Sequence, residues 1–295
     1  MSKANAKDVP KPFTVVTPVD LKDMKPKDEF QLICFENNNA ALFAKKVVLV
    51  EGDSEVIVFP HVASTLKSDW SCTKHSVAFV QAKGKGSIQR YRSFFRRFSV
   101  PTFVVADLDV VLRDFDKLDP TADQQKLHVE LLALVDKTLP KEMPERTGKE
   151  VKDAHGKGSL KGLWAKAKEA KKQFEADESK LPELEKAVQD FFDWEKKESR
   201  LAALQNPPNK EIGDALNKLL FEMRKSGVHI LSKGEIEDYY PDGAITGKDN
   251  PSKAQCYRNV VTTREQVIAN CPMLPVGGDG ATKPELEIIC EAVFN

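Results

Sequence analysis

An α/β fold built on a parallel sheet and interrupted by a long helical insertion is predicted by three observations. Short apolar, β-branched runs alternate with stretches of helical periodicity between residues 45 and 106. From roughly 119 to 225 the β-branched residues thin out, and Lys, Glu, Ala and Leu take over. The β pattern then returns at Val228-His229-Ile230-Leu231. Runs that are apolar on both faces need cover on both sides, and helical crossovers between parallel strands supply it.

The first strong element is Lys45-Lys46-Val47-Val48-Leu49-Val50, a strand that stops at Glu51-Gly52-Asp53-Ser54. Asp53 or Ser54 can cap a helix running from Val56 to about Leu66. Ser76-Val77-Ala78-Phe79-Val80 is a second strand, closed by Lys83-Gly84-Lys85-Gly86-Ser87. Tyr91, Phe94, Phe95 and Phe98 then fall at helical spacing over residues 88–98. Pro101 restarts the chain, and Thr102-Phe103-Val104-Val105-Ala106 is a third strand. Right-handed crossovers between these strands follow from chain chirality.

Residues 119–225 read as about four helices in a bundle or hairpin, with Trp164, Phe174, Leu184 and Val188 among their apolar positions. Residues 146–161, with three glycines, read as a turn within that insertion. A last helix begins near Lys283-Pro284-Glu285, where proline suits a first turn. The domain division expected is a lead-in over 1–44, an insertion over 119–225, and a discontinuous catalytic unit over 45–118 and 226–295.

Composition narrows the function. The 295 residues, 41% hydrophobic and 31% charged, are those of a soluble globular protein. No apolar run approaches the length of about eighteen residues that marks a membrane span, and the polar opening MSKANAKDVPKPF is no secretory signal. A cytoplasmic location is expected. Five cysteines at 34, 72, 256, 271 and 290 make no CxxC pair, which argues against a disulfide framework or a zinc site. The formal net charge is zero, yet residues 74–106 contain no acid and carry Lys74, Lys83, Lys85, Arg90, Arg92, Arg96 and Arg97. A basic segment that runs into the acids Asp107 and Asp109 suits a metal site facing a phosphate backbone. A solvated basic helix is the ordinary alternative.

Working residues in open parallel sheets gather beyond the carboxyl ends of the strands. Three of the four ends here carry acids: Glu51 with Glu55 after the first, Asp107 and Asp109 after the third, Glu235 and Glu237 after the fourth. Asp107 and Asp109 are two apart and would share one face of an extended chain. Hard divalent cations take oxygen ligands and keep several waters, so a few converging carboxylates suffice. Each acid also has a plain reading. Glu55 can be a first-turn acid favoured by the helix dipole, Asp109 a turn residue and Glu237 a solvated side chain. Glu51 is harder to place that way, because an acid directly after a buried strand needs a partner.

These residues resemble a known family. Val50-Glu51-Gly52, followed later by Ala106-Asp107-Leu108-Asp109, is similar to the Toprim pattern of a lone glutamate and a DxD. The longer run from Ala44 to Glu55, the Lys83-Gly84-Lys85-Gly86 block with Tyr91, Phe94 and Pro101, Leu231-Ser232-Lys233-Gly234-Glu235-Ile236-Glu237, and Lys283-Pro284 resemble successive blocks of OLD-family (overcoming lysogenization defect) endonucleases. The resemblance covers residues 36–115 and 228–290 and implies a Toprim (Rossmann-like) sheet.

It also implies a two-metal DNA endonuclease using Mg²⁺ or Mn²⁺, with one ion near Glu51, the other near Glu55, and Asp107 and Asp109 between them. Glu235 and Glu237 would complete the ligand set, Lys283 would face the scissile phosphate, and Lys83, Lys85, Arg90, Arg92, Arg96 and Arg97 would bind DNA. OLD proteins carry an N-terminal ABC-type ATPase, and no GxxxxGK[ST] occurs in this chain. No ATP site is therefore expected here, and the chain reads as the C-terminal part of a longer protein. A helicase encoded nearby and a role in phage defence belong to the same family expectation. A ribonuclease, or a Toprim module that binds nucleic acid or a partner without cutting, are the competing readings. A topoisomerase would need gate domains, and a primase a zinc module.

Overall fold

Lys46–Val50 forms the central strand, β1, because four of its five residues are buried and apolar on both faces of a sheet. The structure, a computed structural model, describes residues 41–82, 84–139, 159–192, 194–276 and 281–295. Residues 1–40 of the expected lead-in, Lys83, and most of the expected turn over 146–161 lie outside the described residues.

Three further strands run parallel to β1 in one direction: β2 (Val77–Gln81), β3 (Thr102–Ala106) and β4 (Val228–Ile230). Their order across the sheet is β2-β1-β3-β4. Val48 pairs with Phe79 on one side and Phe103 on the other, and Val105 pairs with His229. The predicted α/β class and the parallel sheet are thus observed, and the strand after the helical segment does rejoin the sheet.

Helices cover both faces. Helix α1 (Asp53–Leu66) follows β1, and α2 (Ile88–Arg97) follows β2. The helical segment contributes α3 (Ala122–Thr138), α4 (Ser159–Ala176), α5 (Leu181–Phe192), α6 (Trp194–Gln205) and α7 (Lys210–Lys225). After β4 come α8 (Asn250–Val260) and α9 (Arg264–Ile268), an antiparallel ribbon of β5 (Met273–Pro275) and β6 (Thr282–Pro284), and α10 (Glu285–Phe294). Pro284 is the N-cap of α10, one place earlier than the first turn.

Alternation along β1 divides the core in two. Val47 and Leu49 face a cluster with Phe94 and Phe95 of α2, Leu131 and Val135 of α3, and Leu219 and Met223 of α7. Val48 and Val50 face Phe59 and Val62 of α1, Tyr257 of α8, and Ile289 and Phe294 of α10. The first and last helices of the segment that follows β3 therefore build one face of the sheet. Only α4 and α5 form a hairpin packed chiefly on itself, with Trp164 and Leu181 each 44% exposed.

Candidate metal centre

Because β1 lies between β2 and β3, the chain leaving its carboxyl end has a neighbour on each side. Glu51 is the first residue past β1, and its buried setting demands partners. Its Oε1 accepts from the Asp107 backbone N–H at 3.1 Å, across from β3. Its Oε2 lies 3.6 Å from the Lys85 ammonium, delivered from the end of β2. Burial lifts the Glu51 carboxyl above its usual range, against the opposing pull of Lys85 and of that N–H.

Asp107 and Asp109 reach the same place by a different route from the one expected. The chain does not stay extended past β3. Asp107 is the last extended residue and Asp109 lies in a 3₁₀ turn, Leu108–Val111. The Leu108 N–H donates to the Gly234 carbonyl at 2.9 Å, which ties this turn to the loop after β4. Carboxylate oxygens of Glu51, Asp107 and Asp109 all lie within 4.8 Å of one another. Asp107 Oδ1 is buried without a hydrogen-bond partner. Its carboxyl is pushed up to about 9, first by burial and then by repulsion from Glu51 and Glu55. Lys85 Nζ also pairs with Asp109 Oδ1. A hard oxygen donor set with one buried oxygen lacking any partner fits a divalent cation.

A second group of acids adjoins the first. Glu55 is buried in the first turn of α1, and its Oε2 accepts from the Gly52 N–H at 3.1 Å, so it also serves as the expected first-turn acid. Glu237 Oε1 accepts from the Ser54 hydroxyl at 2.7 Å, bridging the loop after β4 to the start of α1. Glu235 is exposed and caps the 3₁₀ turn Ile236–Tyr239, its N–H donating to Asp238 at 2.9 Å. Burial raises the Glu55 carboxyl, with Glu237 and Glu235 adding repulsion. Burial likewise raises Glu235, with Glu237 the next contributor.

The basic residues divide. Arg92 is a correction to the DNA-binding set: it is buried, and its guanidinium donates to the Leu118 carbonyl and, at 3.2 Å, to the Ser226 carbonyl. It fastens α2 to the loops after β3 and α7, so it cannot face a phosphate backbone. Arg96 is exposed and pairs with Asp119 at 2.9 Å. Arg90 donates to the Ser87 hydroxyl at 3.1 Å and Arg97 is half-buried. Lys283 sits on β6 and is held by both oxygens of Glu291, at 2.6 and 2.7 Å. Lys85 is the basic residue brought to the Glu51–Asp109 pair.

Sequence reasoning did not find the inward turn of Lys85, the Ser54–Glu237 bridge or the anchoring of Lys233 by Gln205, whose Nε2 donates to the Lys233 carbonyl at 3.0 Å. Gly84-Lys85-Gly86 after a strand was the available signal for the first. No local signal exists for the others.

Residues 42–109 match the family model described as the overcoming lysogenization defect protein-like TOPRIM domain. That span holds β1 to β3 together with Glu51, Glu55, Lys85, Asp107 and Asp109. The chain is also similar to solved structures of the C-terminal region of the Xanthomonas campestris pv. campestris OLD protein. One, phased with mercury, is 16% identical over 85% of this chain and 95% of that one, with a TM-score of 0.31. Another, phased with platinum, is 15% identical over 86% and 94%, with a TM-score of 0.32. Superpositions of that quality carry no structural argument, so the assignment rests on the family match. No curated protein matches the chain. Residues 42–109 of this chain therefore match an OLD-like Toprim domain, as the blocks around Glu51 and Asp107-Leu108-Asp109 implied.

Proposed function

We propose that this protein is a divalent-metal-dependent endonuclease that hydrolyses DNA phosphodiester bonds at the Glu51, Asp107 and Asp109 centre. The observation that carries the reading is the convergence of these three carboxylates at adjacent strand ends with one buried Asp107 oxygen unpartnered. Mg²⁺ or Mn²⁺ bound there would supply a polarised phosphoryl oxygen and an activated water. Glu51 and Asp107 would hold such an ion, fixed by the sheet and by the Asp107 N–H bond to Glu51. Glu55, Glu235 and Glu237 stand beside them as the side chains for a second ion, Ser54 orienting Glu237. Arg90, Arg96 and Arg97 of α2 would supply positive charge to a nucleic-acid backbone, Arg90 from the first turn of the helix and Arg96 and Arg97 from its last.

In this reading residues 45–118 and 226–295 form the catalytic unit, and 119–225 is an insertion whose ends also cover the sheet. An ABC-type ATPase domain preceding this region, a helicase partner and a role in phage defence complete the proposal. Among the described residues no helix is long and apolar enough to cross a membrane.

The test is nicking of supercoiled plasmid by the purified protein with Mg²⁺, with Mn²⁺ and with EDTA, beside a single-stranded RNA of similar length. Metal-dependent nicking that Glu51→Gln abolishes is the expected result. Cleavage of RNA alone would assign a ribonuclease. Binding without cleavage of either, with both metals present, would leave a non-cutting module.

A further inference from the structure

Lys85 was expected to face phosphate, yet its side chain turns in to the acids. Gly84 opens the 3₁₀ turn Lys85–Ser87 that follows β2, with φ +100 in the region that favours glycine, and its carbonyl accepts from the Ser87 N–H at 3.1 Å. Ile88 and Tyr91, buried in the core just beyond, anchor the turn from below. The backbone is thereby fixed so that the side chain turns in toward the acids. Its ammonium lies 3.6 Å from Glu51 Oε2 and pairs with Asp109 Oδ1, with 15% of the side chain exposed. Glu235 feels the same charge.

Those two acids belong to the trio that converges within 4.8 Å. An ammonium this close repels a divalent ion that binds the same carboxylates at ligand distance, roughly 2.1 Å for Mg²⁺.

We propose that Lys85 is a resident competitor for the cation: its ammonium holds the Glu51–Asp109 pair together until a divalent ion takes those oxygens, and so it sets the metal concentration at which the centre loads. The inference rests on the metal reading of this site. An opposite charge in contact shifts the equilibrium of an ionised group by about tenfold or more. Removing Lys85 therefore has two linked effects. The carboxylates lose their only cationic contact among the described residues, and an incoming ion no longer has a rival.

Mn²⁺ titration of the full chain, followed by electron paramagnetic resonance and by melting temperature, separates these effects from turnover. Lys85→Met should bind Mn²⁺ about tenfold more tightly than wild type, melt lower in EDTA, and gain more from saturating Mn²⁺. Lys85→Arg, which keeps the charge, should stay close to wild-type affinity. Lys85→Gln serves for the same titration where the methionine variant does not fold. Unchanged or weaker Mn²⁺ binding in the neutral variants would overturn the role of Lys85 and leave the nuclease reading standing. No Mn²⁺ binding by wild type would overturn the metal reading and this inference with it.

Discussion

Two sequestered carboxyl groups, Asp107 and Glu285, show what separates an acid that builds a fold from one proposed for chemistry. Glu285 opens α10 and is 3% exposed, more deeply buried than the half-buried Asp107. Three donors surround it: the Ser232 N–H at 3.0 Å, the Ser232 hydroxyl at 2.7 Å and the Tyr239 hydroxyl. Burial still raises its carboxyl, but each donor pulls the other way. Asp107 has an unpartnered oxygen, and burial, then Glu51, Glu55 and Glu235, push it up against the pull of Lys85. Burial alone does not distinguish the two. The balance of donors against like charges does, because a buried oxygen without a donor is costly unless something else compensates.

Breaking that comparison at its strongest point means replacing Asp107. Asp107→Asn should lower the rate of metal-dependent nicking by at least about a thousandfold, the scale of losing a group that organises transition-state charge. The fold should stand, and in EDTA the variant should melt no lower than wild type, because a carboxyl held up to about 9 is disfavoured as an anion in the native state. Glu51→Gln should share the loss of activity. A folded Asp107→Asn protein nicking within tenfold of wild type would remove Asp107 from the chemistry.

Glu285→Ala should behave in the opposite way. Three donors would be left in a dry site, at a cost of about 3 kcal/mol in stability. Nicking per folded molecule should change less than threefold. Guanidinium chloride unfolding and a plasmid assay below the melting temperature measure both. Loss of activity without loss of stability would mean that Glu285 reaches the reaction and that the comparison is wrong.

How much of this was legible beforehand follows from which contacts are local. The runs at Val47–Val50 and Thr102–Ala106 are short, continuous and rich in β-branched residues, which marks strands buried on both faces, and Glu51 and Asp107 follow directly, so the acids at the strand ends could be read off the chain. The order β2-β1-β3-β4 could not, because lateral pairing depends on contacts far apart in sequence. Without that order nothing indicates that Gly84-Lys85-Gly86 ends beside Glu51. Arg92 shows the same limit. It sits among other basic residues on α2 that are half-buried or exposed, and its burial depends on carbonyls 26 and 134 residues away. Lys283 was expected at the phosphate, yet Glu291 is one α10 turn and a half from Glu285 and captures it locally. The extended geometry expected for Asp107 and Asp109 gave way to a 3₁₀ turn, because Gly234 offers a carbonyl to Leu108.

The divided basic set gives a smaller prediction. Arg92→Ala should cost about 2 kcal/mol of stability, since two buried carbonyls lose their donors, and leave the salt dependence of DNA binding unchanged. Arg96→Ala should cost little stability, because its pair with Asp119 is exposed. It should instead flatten the slope of binding against salt by about one phosphate contact. A fluorescence-anisotropy titration at several salt concentrations, set beside thermal melts, tells the two apart. Identical behaviour of the two variants would erase the division.

His229 is the sharpest test of the rule itself, because it is a buried orphan that the proposed chemistry does not use. It lies on β4, 2% exposed, with neither ring nitrogen partnered, in a small cavity lined also by Arg224 and Glu285. Burial, and then the Arg224 guanidinium, press its pKa down from 6.5 to about 4. The unfolded chain therefore takes up a proton near pH 6.5 that the native ring refuses until about pH 4. Stability from this group is complete above pH 6.5, falls as the pH drops toward 4, and is level below that. The depression corresponds to about 3 kcal/mol at most, from roughly 1.4 kcal/mol per unit. His229→Leu removes both the orphaned nitrogens and the titration. It should flatten the acid limb of the stability curve between pH 6.5 and 4, raise or preserve stability at pH 7, and leave nicking untouched. Urea unfolding at a series of pH values reads the first two, and the plasmid assay reads the third. Under the proposed function, an unsatisfied group matters for chemistry only where like charges gather around it, as they do at Asp107. A loss of nicking in a stable His229→Leu protein would show that the missing partner alone, without the surrounding acids, is enough to mark a functional residue.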